Sequence, residues 1–120
     1  MSKYFIKLFY IIIFILGFLL SRNIISNDIP VGQLVDFTGP TSSVGKPFGQ
    51  GHIDAIKWIN KNGGINNRKI RLDTVDYSYK APRAVATYKR WKSRLKVITV
   101  IGWGTADTEA LMETIARDKI

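Results

Sequence analysis

Apolar and polar residues change their spacing several times along the chain, and each change marks an element. Leu8 to Leu20 is an unbroken apolar run of 13 residues. Pro30 to Phe37 (PVGQLVDF) is short, mostly apolar and ends at a turn, which predicts a buried strand. Thr38 to Gly45 (TGPTSSVG) is a loop of turn formers. From Lys46 the spacing becomes helical: Phe48, His52, Ala55, Ile56 and Ile59 mark one face of an amphipathic helix. Asn62-Gly63-Gly64 ends that helix, with glycine available for a left-handed cap. Lys69 to Tyr77 (KIRLDTVDY) alternates apolar and polar residues, as a strand with one wetter face does. Pro82 suits the first turn of the next helix, along which Val85, Tyr88, Trp91 and Leu95 recur at helical spacing. Val97 to Ile101 is β-branched and predicts a strand buried on both faces. Gly102 to Thr105 breaks it, and a final helix is expected from Ala106 to Arg117. Asp107 and Glu109 stand near its start and Arg117 and Lys119 at its end, as the helix dipole favours.

The order β-α-β-α-β-α implies an α/β fold, a three-layer, doubly wound parallel sheet with right-handed crossovers. Ligands of such sheets bind beyond the carboxyl ends of the strands. Three segments meet there: Thr38 to Gly45, Tyr77 to Ala81, and Gly102 to Thr108. Thr105 is expected at or near a helix N-cap, with backbone N–H groups facing a carboxylate. Trp103 follows a buried strand directly and is placed to line a pocket. Trp58 and Trp91 sit at helical spacing and are expected in the core, and His52 on the apolar side of its helix is expected to pack. Asp73 and Asp76 lie three apart on a strand, so they point to opposite faces and form no carboxylate pair.

The amino terminus is separate from this pattern. Lys3 and Lys7 precede the run Leu8–Leu20, and Ser21 to Asp28 is polar. A basic start, an apolar core and a polar exit read as a signal peptide over residues 1–26. Extending the run back to Tyr4 gives 17 residues, close to the length of a spanning helix, so an uncleaved anchor over residues 4–20 is the alternative. Residues 27–120 then form an incomplete lobe, and three strands with exposed edges are expected to be poorly soluble or molten on their own.

The 120 residues carry a formal charge of +9, no cysteine and one histidine. Disulfides, zinc-thiolate sites, a cysteine nucleophile and a lipid-bearing cysteine are thereby excluded. Arg68 to Lys96 holds ten basic residues against Asp73 and Asp76. They interleave with apolar residues at helical spacing, so they read as a solvated helix face; an exported chain has no nucleic-acid partner. Gly102-x-Gly104 lacks the third glycine of a dinucleotide loop and no Walker lysine follows a strand, so no cofactor is expected.

The ordered set Gln33–Pro40 (QLVDFTGP), Val44-Gly45, Gly51–Asn66 (GHIDAIKWINKNGGIN), Asn66-Asn67-Arg68-Lys69-Ile70, Asp76-Tyr77, Pro82 with Ala84, and Val100-Ile101-Gly102 resembles the solute-binding proteins of branched-chain amino-acid ABC transporters. The resemblance covers residues 29–120. It implies a two-lobed, type I periplasmic-binding fold that closes on a small amino acid, amide or urea-like solute and then docks on an inner-membrane permease. It also implies that Gly104, Thr105, Ala106, Asp107 and Thr108 hold the ligand's carboxylate and amino groups, with Ser43 and Val44 over its side chain. Two positions depart from the family: Asp107 replaces a small neutral residue, and Val44 stands where some members have an aromatic one. An acid there suits an ammonium or amide nitrogen, or else serves only the helix start. A membrane receptor's sensor domain is the alternative reading. An exported enzyme fits less well, because no acid, base and nucleophile can be assembled.

Overall fold

A computed structural model describes residues 28–120; the expected signal or anchor segment, residues 1–26, lies outside the described residues. The elements are β1 (Ile29–Val35), α1 (Ser42–Lys61), β2 (Ile70–Asp76), α2 (Ala81–Arg90), β3 (Thr99–Ile101) and α3 (Thr105–Asp118). The sheet is parallel, with order β2-β1-β3. Ile29 to Val35 pair with Ile70 to Asp76, and Val31 to Gln33 with Thr99 to Ile101. α1 packs on β1 and β2, while α2 and α3 pack on each other. Helices therefore cover both faces, as the alternating pattern predicts.

β1 is central, and its alternate side chains serve two different contacts. Leu34 and Gly32 face α2 and α3, where Leu34, Tyr77, Ala84, Tyr88, Trp91, Val97 and Leu111 form the buried core. A β-carbon at Gly32 would lie 2.5 Å from the Trp91 ring, so glycine here makes room for the indole. Gln33 and Val35 face α1. The Gln33 amide donates to the Gly49 carbonyl, contacts His52 Nδ1 at 3.3 Å and accepts from Thr74 Oγ1. His52 is thus a packed, hydrogen-bonded residue.

The line along which α1 meets the sheet runs through Gly45 and Gly49, its two buried residues. A β-carbon at Gly45 would lie 2.1 Å from the Asp36 carbonyl, so the helix axis comes closer than side chains would allow. This shifts the buried stripe from the expected one. Phe48 and Ala55 are exposed, and Trp58, expected in the core, is 68% exposed. Trp58 stands two residues from both Ile56 and Asn60, which places it near the opposite side of a helix with 3.6 residues per turn. α1 also begins at Ser42 rather than Lys46, because Val44 and Gly45 donate to the Thr41 carbonyl and start the helix early.

At the far end of α1 the Asn60 amide bonds both backbone groups of Ile70, the first residue of β2, at 2.7 and 2.8 Å. α2 continues through one wider turn, Trp91–Leu95, that ends on Lys96 in the left-handed region. The indole of Trp91 and the guanidinium of Arg90 both bond Asp73. The turn delays strand pairing to Thr99, so β3 is shorter than expected. Val97 joins the core instead, and β3 is an edge strand of the described sheet, with Val100 and Ile101 half-buried. α3 is tied back to α2 where Tyr88 and Lys92 meet the carboxylate of Asp118. Among the described residues, no helix is long and apolar enough to cross a membrane.

The two glycine environments give opposite expectations. Gly32→Ala should lower unfolding stability by about 1–3 kcal/mol through overpacking against Trp91. Gly51→Ala, on an exposed turn of α1 with nothing near its β-carbon, should raise it by about 0.5–1 kcal/mol through helix propensity. Urea-denaturation midpoints of the two variants check both signs.

Candidate functional site

The carboxyl ends of the three strands converge on a set of carboxylates, each used to organise a turn. Asp36 follows β1 and is fully buried. Its Oδ1 accepts the Gly39 N–H, and its Oδ2 accepts the Thr41 N–H at 2.8 Å and the Thr41 hydroxyl at 2.7 Å. Glycine is required at 39 because a β-carbon would lie 2.6 Å from both Asp36 and the Ser78 carbonyl. Asp76 ends β2 and accepts from the Phe37 N–H, the Ser78 N–H and the Thr38 hydroxyl. Burial raises the pKa of each carboxyl, but the donors outweigh it: Thr41 and Gly39 for Asp36, and Thr38, Phe37 and Ser78 for Asp76. Both carboxyls are held below the ordinary aspartate value.

The third strand's exit is built around Asp107. This residue is 2% exposed and points into the protein. Its Oδ1 accepts the Gly104 N–H at 2.8 Å and the Tyr77 hydroxyl at 2.6 Å, and its Oδ2 accepts the Trp103 N–H at 2.9 Å. Both oxygens are engaged within the protein, so Asp107 organises the helix start. Burial, and then the Asp107 carboxylate, push the Tyr77 hydroxyl well above the ordinary tyrosine value.

Trp103 joins the first and third exits. Its indole N–H donates to Thr41 Oγ1 at 2.8 Å, and that hydroxyl donates to Asp36. The ring also packs on Phe48 of α1, with centroids 4.9 Å apart. The second exit lies against the third at Gly104, where a β-carbon would meet the Tyr79 ring at 2.7 Å.

Gly104 is the N-cap of α3 and Thr105 its first residue, one position later than expected for the cap. Thr105 and Ala106 therefore have N–H groups with no intrahelical acceptor. The Thr105 and Thr108 side chains are exposed. Trp103, Gly104, Thr105, Ala106 and Thr108 thus share one rim, with Asp107 beneath it. Ser43 and Val44 lie in the first turn of α1, exposed, and take part in none of these contacts. Tyr79 lies in the segment Tyr77–Ala81 that the fold rule places at this end, whereas Phe48, expected only on the apolar face of its helix, is an addition to the rim. Ser78 and Tyr79 are consecutive left-handed residues (φ 52° and 58°), yet neither is the glycine or asparagine that signals this conformation. A groove of about 150 Å³ on the flank of α3, lined by Val100, Leu111, Met112 and Ile115, shares Asp107 and Thr108 with the rim. Among the described residues, no cluster of His, Cys, Asp and Glu could hold a metal ion.

These titrations fix the pH dependence of stability. Asp36 and Asp76 bind protons less tightly folded than unfolded, so their contribution is full above the unfolded carboxyl value of about 3.9 and is lost as pH falls through the lower folded values. Asp36→Asn should cost about 1–3 kcal/mol at neutral pH and flatten the acid side of a stability–pH curve. An unchanged acid slope, read from urea midpoints, would remove Asp36 from this role. Tyr77 acts with the opposite sign: its contribution is full below the unfolded tyrosine value of about 10 and declines above it, a decline that Tyr77→Phe should reduce.

The sequence profile of the periplasmic binding protein family matches residues 28–120. An amino acid binding protein of Pseudomonas aeruginosa is 35% identical over 75 residues, which are 62% of this chain and 20% of that protein. The crystal structure of an ABC transporter substrate binding protein from Aeropyrum pernix superposes with a TM-score of 0.73 at 43% identity, covering 78% of this chain and 25% of its own. A fatty acid ABC transporter substrate-binding protein from Thermomonospora curvata gives 0.71 at 26% identity, covering 78% and 24%. The chain thus spans about a quarter of the length of the solved relatives it matches. Its parallel sheet is part of the amino-terminal lobe of their fold, and both of these solved relatives are substrate-binding proteins. The chain belongs to the periplasmic binding protein family.

Proposed function

We propose that residues 28–120 form one wall of the solute site in the substrate-binding component of an ABC importer, and that the solute is an amino acid or a related amide. The carrying observation is the rim at the start of α3, where the Thr105 and Ala106 N–H groups lack intrahelical acceptors. The Thr105 and Thr108 hydroxyls and the ring of Tyr79 flank them. N–H groups at a helix start suit a carboxylate, and amino acids and fatty acids, the solutes of two relatives, both carry one. The charge of Asp107 beneath the rim opposes a bare anion. It favours a ligand whose carboxylate is accompanied by an ammonium or amide nitrogen, and so an amino acid over a fatty acid. Trp103 lines the floor, and Ser43 and Val44 stand on the first turn of α1 to cover the ligand's side chain. Residues 1–26 direct export to the periplasm, the second wall comes from the other lobe, and the closed form docks on an inner-membrane permease.

The test is a chimera in which residues 28–120 replace the matching quarter of the Aeropyrum pernix protein. Isothermal titration against amino acids, amides, urea and a fatty acid should give heat with an amino acid or amide. Tyr79→Phe and Thr105→Val should each weaken that binding about five- to tenfold, the loss of one hydrogen bond. A folded chimera that binds none of these, or binds only the fatty acid, would refute the assignment.

A further inference from the structure

We infer that the end of the domain opposite the binding rim is a docking surface for anionic phospholipid. Parallel strands give the domain two unlike ends. The carboxyl end holds Asp36, Asp76 and Asp107. The amino end carries the exposed cations Lys61, Lys69, Arg71, Arg94 and Lys96. Its position is fixed by pairing: Ile29 lies beside Ile70, Asn60 bonds Ile70, Arg71 donates to the Leu95 carbonyl, and the Ile98 N–H donates to the Pro30 carbonyl. Acidic groups here are few. Asp28 is half-buried, Asp118 is held by Lys92 and Tyr88, and Asp54, further along α1, pairs with Lys57.

The same end exposes apolar side chains: Trp58 (68%), Ile65 (46%) and Ile98 (58%). Asn62 bonds back to the Trp58 carbonyl, and Gly64 to that of Ile59, which folds the turn leading to Ile65 back onto the last turn of α1. A tryptophan and aliphatic side chains set among lysines and arginines match the chemistry of a headgroup layer. There indole rings sit at the boundary and cations neutralise the anionic leaflet.

Chain geometry points the same way. The apolar run closes at Leu20, and only residues 21–28 separate it from the first strand. Eight residues span at most about 30 Å. While that run is in a membrane, the basic end is therefore held near the leaflet and the binding rim faces away from it. An apolar segment and a basic patch together supply the two signals that stable membrane association requires.

Trp58 is a built-in probe. The 120-residue chain is mixed with vesicles of equal parts phosphatidylglycerol and brominated phosphatidylcholine, or of brominated phosphatidylcholine alone. Subtracting the signal of Trp58→Phe isolates Trp58 from Trp91 and Trp103. The proposal expects the Trp58 component to fall at least about twofold on anionic vesicles and little on neutral ones. It expects recovery at about 1 M salt, where screening shortens to about 3 Å. It also expects loss of quenching in the triple variant Lys61→Gln, Lys69→Gln, Arg94→Gln. Equal quenching on both vesicle types would show that the apolar run alone brings the chain to lipid, and would overturn the proposal. So would quenching of Trp91 and Trp103 to the same extent, which marks an unfolded chain, or a Trp58 response to a DNA duplex with none to anionic vesicles.

Discussion

The buried carboxylate of Asp36 is the group on which the arrangement of the mouth depends. A charge taken out of water at the end of a central strand is costly unless donors surround it. Here the donors come from the turn that follows: Gly39 and both polar groups of Thr41. Satisfying the charge therefore fixes the path of the chain into α1. Because Thr41 Oγ1 also accepts the Trp103 indole N–H, the same carboxylate sets the position of the loop after β3. One desolvated charge thus couples segments 62 residues apart in sequence.

Two further carboxylates repeat the device, each with a different neighbour. Asp76 collects donors from the turn after β1 as well as its own, and so joins the first and second exits. Asp107 gathers the Trp103 and Gly104 N–H groups and the Tyr77 hydroxyl, and so joins the second and third. The acids concentrated at the mouth serve its shape, each carboxylate being bonded to the turn it organises. The Asp107 side chain is turned inward, with both carboxylate oxygens bonded within the protein.

Much of the fold was legible in the sequence because its signals are local. Alternation in Lys69–Tyr77, helical spacing in Val85–Leu95 and the break at Gly102 each follow from one element's own periodicity. The doubly wound arrangement followed from their order. What was not legible depended on contacts between elements. The approach of α1 through Gly45 and Gly49 fixed which stripe of that helix is buried and left Trp58, expected in the core, on the outside. The wide turn Trp91–Leu95 and the left-handed Lys96 shortened β3. At the site, the fold rule located all three strand exits, Tyr77–Ala81 among them, but not that Tyr79 is the side chain of that segment lying against Gly104, since the left-handed backbone at Ser78 and Tyr79 carries none of the usual residue signals.

The paired bonds from Asn60 to Ile70 act at a distance from where they are made. Side chains alternate along a strand, so a slip of β2 by one residue would exchange the faces of Val75 and Asp76. It would pull the Asp76 carboxylate away from Phe37 and Thr38. Asn60 holds the first residue of β2 by both its N–H and its C=O, six residues and about 20 Å from Asp76. It works as the zero mark of a ruler: an asparagine far from any solute calibrates where the second strand delivers its charge.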